Sequence, residues 1–201
     1  MIIGVTGPSG AGKTIISNML VEMLQCEYVN ADKVAREQAK EGTEYFTAII
    51  RAFGDKILDE KNEINRKLLA EIIYEGKTER ETLNDLTTFY VAEEIKKEAF
   101  LKLERAKIVI IDVPRLMESG LNKICDITIS VLADYDVRLN RICERDDIDE
   151  ETAKKRLQIQ ETDEFYIENS DYVVTTNEDN APEQLEAIVS NIKKEIQNES
   201  I

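Results

Sequence analysis

Residues Gly7-Pro8-Ser9-Gly10-Ala11-Gly12-Lys13-Thr14 fit the pattern GxxxxGK(S/T), and their flanks narrow the fold at once. Met1 to Val5 is a short apolar run, the mark of a buried strand. From Gly12 onward, Ile15, Ile16, Met19, Leu20, Met23 and Leu24 recur at helical spacing. A glycine-rich loop between a buried strand and a helix start is an anion nest. Its glycines let backbone N–H groups turn inward, and the helix terminus adds a partial positive charge. Lys13 can reach the β- and γ-phosphates, and the Thr14 hydroxyl can ligate Mg²⁺. The loop alone implies a nucleoside triphosphate and leaves kinase, GTPase and ATPase open.

The same alternation continues along the chain. Glu27 to Val29 reads as a second strand, Ile108 to Asp112 (IVIID, stopped by Pro114) as a third, Asp126 to Leu132 as a fourth and Asp171 to Thr175 as a fifth. Between them lie amphipathic helical stretches: Tyr45 to Phe53, Leu68 to Ile73, Glu79 to Leu103, a polar segment from Asp134 to Glu161, and a closing helix through Leu185 to Ile196. Short apolar strands alternating with helices predict an α/β fold, an about five-stranded parallel sheet covered by helices on both faces. The two longest departures from alternation, Lys33 to Arg105 and Asp134 to Ser170, read as insertions at the ligand edge.

Composition bears on what such a nest can serve. The chain carries 41 acidic and 26 basic residues, a net charge of −15. Its mean field repels phosphate, so neither nucleic acid nor an anionic membrane is an expected partner, and any phosphate site must be built locally. There is no His, which excludes Ser-His-Asp triads and His-ligated zinc. Cys26, Cys125 and Cys143 are odd in number and far apart. They suggest a reducing compartment rather than a disulfide framework. With no apolar run of about 18 residues and no signal-peptide pattern at the start, the expected location is cytoplasmic.

Three further sets of residues carry chemistry. Asp32 follows the second strand, where ligands bind in open parallel sheets. It can be the base that orients an acceptor hydroxyl and takes its proton, or the N-cap of a helix beginning at Lys33. Asp112 ends the third strand and can either hold Mg²⁺ or accept a structural hydrogen bond from the phosphate loop. Arg138, Arg141 and Arg145 share one helical face, with Arg156 beyond. They can clamp phosphates from a mobile flap or form a solvated face paired with Glu144, Asp146, Asp147 and Asp149.

At this point the chain resembles the dephospho-coenzyme A kinase family. The matching stretches are GVTGPSGAGKT, ADKVAR (Ala31 to Arg36), FGDKILDEKNEINRKLLAEIIY (Phe53 to Tyr74), Leu83-Asn84, IDVPRLMESGLNKICD (Ile111 to Asp126), RLNRICERD (Arg138 to Asp146), RLQIQ and SDYVV. The resemblance implies a single P-loop kinase domain of the three-layer type. Its core would be residues 1–32, 106–133 and 171–201, with a helical substrate-binding part at 33–105 and a lid at 134–170. It implies transfer of the γ-phosphoryl group of ATP, with Mg²⁺, to the ribose 3′-hydroxyl of dephospho-coenzyme A. Asp32 is then the catalytic base, and Lys13, Arg141 and Arg145 act on the phosphates. Gly7 to Thr14 and Ile15 line the nucleotide side, while Arg66, Asn84, Pro114, Leu116 and Glu118 line the acceptor side. Thr14 and Asp112 are the metal-side residues. A monomer or weak homo-oligomer is expected.

The chain also departs from the family pattern. Asn30 stands for the usual Asp, Thr88-Phe89 for His-Pro, Arg115 and Met117 for Leu and Phe, Tyr166 for Lys, and Thr175-Thr176 for Asp-Asn. Most of these lie on the acceptor side. Two other readings therefore stand beside the first: a kinase of the same architecture for a nucleoside monophosphate or another small alcohol, and a non-catalytic nucleotide-binding regulator.

Overall fold

In the computed structural model, which describes residues 1–178 and 180–198, the strands are β1 (Ile2–Thr6), β2 (Glu27–Asn30), β3 (Val109–Asp112), β4 (Ile127–Leu132) and β5 (Tyr172–Thr175). They form one sheet in the order β2-β3-β1-β4-β5. β1 pairs in parallel with β3 and β4, and β4 with β5. The predicted α/β parallel sheet is therefore the observed one. Register fixes what gathers at its carboxyl end: Asp112 lies beside Val5, Ser130 beside Thr6, and Thr175 beside Leu132.

Alternation along the strands assigns the two faces of the sheet. Ile3, Val5, Ile110, Ile127, Ile129, Val131 and Val174 share one core with Ile16 and Leu20 of helix α1 (Lys13–Leu24) and with Leu185, Ile188, Val189 and Ile192 of helix α9 (Ala181–Asn198). Ile15 belongs to the predicted apolar spacing but is 66% exposed, in the first turn of α1. The buried stripe starts one residue later, at Ile16, which is fully buried. On the opposite face Gly4 sits under Leu116 and Cys125, and Ser130 donates to the carbonyl of Tyr166 in α8 (Asp163–Glu168).

The chain forms two compact units. One comprises residues 1–29 and the described residues from 99 onward, and the other is Asn30–Glu98. The second contains α2 (Ala31–Gln38), α3 (Glu44–Phe53), α4 (Arg66–Glu75) and most of α5 (Lys77–Leu103). Side chains cap three of these helices: Asn30 accepts from Lys33 N–H, Thr43 from Phe46 N–H and Asn65 from Leu68 N–H. Tyr45, Ile49, Phe53, Ile57, Leu69, Val91 and Ile95 are among its buried residues. Tyr45 and Thr87 share a 2.7 Å hydrogen bond. No helix among the described residues is long and apolar enough to cross a membrane.

The polar segment predicted as helical from Asp134 to Glu161 divides into α6 (Tyr135–Asp146) and α7 (Glu150–Gln158), the first ending at Asp147 in the left-handed conformation. The pair is held by a small apolar core of Leu139, Ile142, Ala153 and Leu157.

A Cβ on Gly4 would lie 2.7 Å from both Leu116 Cδ2 and Cys125 Sγ. Gly4→Ala is expected to destabilise the chain by about 1–3 kcal/mol, the range for overpacking a filled core, measured as a lowered urea midpoint. An unchanged midpoint would mean that this face is loosely packed.

Candidate active site

Two glycines give the phosphate loop its shape. Gly7 (φ 139°) lies so close to β4 that a Cβ would meet the Val131 carbonyl oxygen at 2.1 Å. Gly10 (φ 80°) lies against the start of α6, where a Cβ would come within 2.7 Å of the Arg138 carbonyl oxygen. Any side chain would lift the loop off both supports. Pro8 is buried, Ala11 is fully buried, and Ser9, Gly10 and Gly12 are half-buried. Helix α1 begins at Gly12 with no capping side chain and no acidic residue in its first turn. The positive end of that helix is therefore left for an anion.

Side chains from distant segments fix the loop. Gln160 Oε1 accepts from Ser9 N–H at 2.8 Å. Thr176 Oγ1 donates to the Ala11 carbonyl at 2.8 Å. Arg141 Nη1 donates to the Gly10 carbonyl at 3.2 Å. Lys13 Nζ donates to the Pro8 carbonyl at 2.9 Å, which folds the ammonium over its own loop.

Asp112 is buried at the end of β3. Its Oδ2 accepts from the Tyr28 hydroxyl at 2.9 Å and from Thr14 Oγ1 at 3.5 Å. The Thr14 contact is the structural bond to the loop considered for this residue. Tyr28, on the neighbouring strand β2, is a partner that sequence reasoning missed. The same two oxygen-bearing residues suit Mg²⁺, which takes hard oxygen ligands through one or two protein groups and completes its shell with water and phosphate. Among the described residues no group of three or more Cys, Asp or Glu side chains forms a dedicated metal cage.

The arginines separate into different roles. Arg138 is buried and pairs with Asp163 at 3.5 Å, so it ties α6 to α8 and does not face solvent with its neighbours. Arg141 reaches the phosphate loop as described. Arg145 forms two bonds to its neighbour Asp146, at 2.8 and 2.9 Å, and Arg156 binds the same carboxylate. The Arg145 guanidinium, aided by Arg156, holds the Asp146 carboxyl below its usual range. Arg145 is thus a paired and largely exposed residue, whereas the Arg141 side chain bonds to the nest.

Asp32 lies in the first turn of α2, two residues beyond the last residue of β2. The structure excludes the cap reading for this residue. The helix starts at Ala31 rather than Lys33, and Asn30 caps it through a 2.8 Å bond to Lys33 N–H. The Asp32 side chain is exposed. Arg66 is exposed at the start of α4, near the Tyr45 hydroxyl, and Asn84 is half-buried on α5.

On the segment after β3, Pro114 accepts from the Thr6 hydroxyl at 3.2 Å through its carbonyl. Leu116, expected on the acceptor side, is fully buried over Gly4 and serves the core. Glu118 pairs with Arg115 at 3.9 Å and has a buried Oε2 with no hydrogen bond. Burial pushes the Tyr166 hydroxyl up, and the Glu118 carboxylate adds to it.

No thiol takes part in these contacts. Burial pushes Cys26 up to about 11 and Cys125 up to about 12. Iodoacetamide at pH 7.5 is therefore expected to leave both unmodified in the native chain, as read by mass spectrometry of tryptic peptides, because the thiolate is the reactive form. Rapid labelling of either would contradict the packing around it.

The sequence profile of the family described as Dephospho-CoA kinase matches residues 1–183. A dephospho-CoA kinase of Fusobacterium nucleatum is 41% identical over 177 residues, 88% of this chain and 90% of that protein. One from Saccharomyces cerevisiae is 31% identical over 200 residues, covering 96% of this chain and 83% of its own length. Among solved structures, a dephospho-CoA kinase from Campylobacter jejuni superposes with a TM-score of 0.63 at 24% identity, over 100% of this chain and 98% of its own.

Proposed function

The chain belongs to the dephospho-CoA kinase family, and from that premise we propose that it transfers the γ-phosphoryl group of ATP to the ribose 3′-hydroxyl of dephospho-coenzyme A. The observation that carries this reading is the family match over residues 1–183, joined to a phosphate loop pinned against β4 and α6.

The proposed chemistry assigns one task to each residue. Inward-turned amides of Gly7 to Thr14 and the uncapped start of α1 hold the phosphates. Lys13 moves from the Pro8 carbonyl to the β- and γ-phosphates, exchanging a neutral acceptor for charged ones. Thr14 and Asp112 would hold Mg²⁺, and the Tyr28 hydroxyl keeps the Asp112 carboxylate in place. When bound, that ion would supply neutralisation of the phosphate charge. The Asp32 carboxylate orients the ribose hydroxyl and accepts its proton. The hydroxyl oxygen bonds to the γ-phosphorus, the bond from that phosphorus to the β,γ-bridging oxygen breaks, and ADP leaves. Arg141 and Arg145 neutralise charge as it develops, Arg145 after release from Asp146.

In this reading residues 33–105 bind the coenzyme side through Arg66 and Asn84, with Pro114 and Glu118 from the segment after β3. Residues 134–170 form the lid. The substrates are small molecules.

A coupled ADP assay tests this. Dephospho-coenzyme A is expected to support Mg²⁺-dependent turnover, and a panel of nucleoside monophosphates is not. Turnover with a nucleoside monophosphate and none with dephospho-coenzyme A would overturn the acceptor assignment. Asp32→Asn is expected to lower kcat by at least about 100-fold, the lower range for general base catalysis, with little change in ATP affinity. Near-normal kcat would remove Asp32 as the base.

A further inference from the structure

Thr176 is the first residue beyond β5, and its N–H donates to the Leu132 carbonyl, extending the β4–β5 ladder by one step. Register therefore holds its position. Its hydroxyl does two things at once: it donates to the Ala11 carbonyl at 2.8 Å and accepts from Arg141 Nη1 at 2.8 Å. Its own carbonyl accepts from Arg141 Nη2, also at 2.8 Å. One residue thus grips both terminal nitrogens of the guanidinium and the phosphate loop together.

The stereochemistry of arginine gives this grip a consequence. The planar group has five N–H bonds. Nη1 directs two of them, to the Gly10 carbonyl and to the Thr176 hydroxyl. Nη2 directs one, on the edge facing Nη1, to the Thr176 carbonyl. What remains is the opposite edge, Nε–H with the second Nη2–H. These two lie side by side and parallel, the fork that matches two oxygens of a phosphate.

We propose that Thr176 is a positioning residue for phosphoryl transfer: it holds Arg141 by one edge so that the other edge is presented to a nucleotide phosphate over the loop. This rests on the reading above in one respect, that Arg141 contacts the nucleotide. The position uses a donor and an acceptor at once, and the hydroxyl supplies both.

The test is ATP affinity by titration calorimetry, which needs no acceptor substrate. Thr176→Val keeps the shape and removes both bonds. It is expected to weaken ATP binding about tenfold, the lower range for losing a hydrogen bond to a charged group. Thr176→Ser restores the hydroxyl and is expected to recover most of that affinity. If Thr176 acts through Arg141, Thr176→Val in an Arg141→Ala background costs less than about twofold more, the signature of coupled sites. A tenfold loss that persists without Arg141 would assign Thr176 a merely structural role and overturn the proposal, as would Thr176→Val with unchanged affinity. If dephospho-coenzyme A proves inert while this cycle behaves as expected, the acceptor assignment fails and the role of Thr176 stands.

Discussion

The whole site depends on how closely the phosphate loop is pressed onto its supports. The Val131 carbonyl beneath Gly7 and the Arg138 carbonyl beside Gly10 leave no room for a Cβ. The loop therefore lies at the depth where its amides, the start of α1 and the carboxyl end of β3 converge. Strand register does the rest. Because Val5 pairs with Asp112, the buried carboxylate arrives level with the point at which β1 enters the loop. Thr14, in the first turn of α1, then meets it.

This arrangement also resolves an electrostatic conflict. A chain of net charge −15 repels a triphosphate as a whole. Within the site, however, α1 starts without an acidic residue or a capping side chain, and Lys13 and Arg141 both rest on carbonyls of the loop. These are neutral partners that a phosphate can displace or complement. Arg138 and Arg145 are paired with carboxylates. Arg141 and Arg145 lie four positions apart on one helix, yet their chemistry differs because of what faces each of them.

The fold was legible because its signals are periodic and local. Five short apolar runs, the glycine loop and the break at Pro114 all act through neighbouring residues. Caps were harder to read. Asn30 and Asp32 both suit the start of α2, and only the backbone shows that the helix begins at Ala31, leaving the cap to Asn30. Burial of individual side chains was harder still. Leu116 lies in a family-like stretch near the site but fills the space above Gly4, a long-range contact with no periodic signature. Tyr28, Gln160 and Thr176 were missed as partners for the same reason. Each reaches its target across the sheet or from the far side of α6 and α7, and nothing in their own surroundings in sequence marks them.

A structure of the chain with Mg²⁺, a non-hydrolysable ATP analogue and dephospho-coenzyme A tests the central claim most directly. The account predicts Lys13 on the β- and γ-phosphates and an Asp32 carboxylate oxygen within hydrogen-bond reach, about 2.6–3.2 Å, of the ribose 3′-hydroxyl. An Asp32 carboxylate turned away from that hydroxyl, with another group at the same distance, would contradict it.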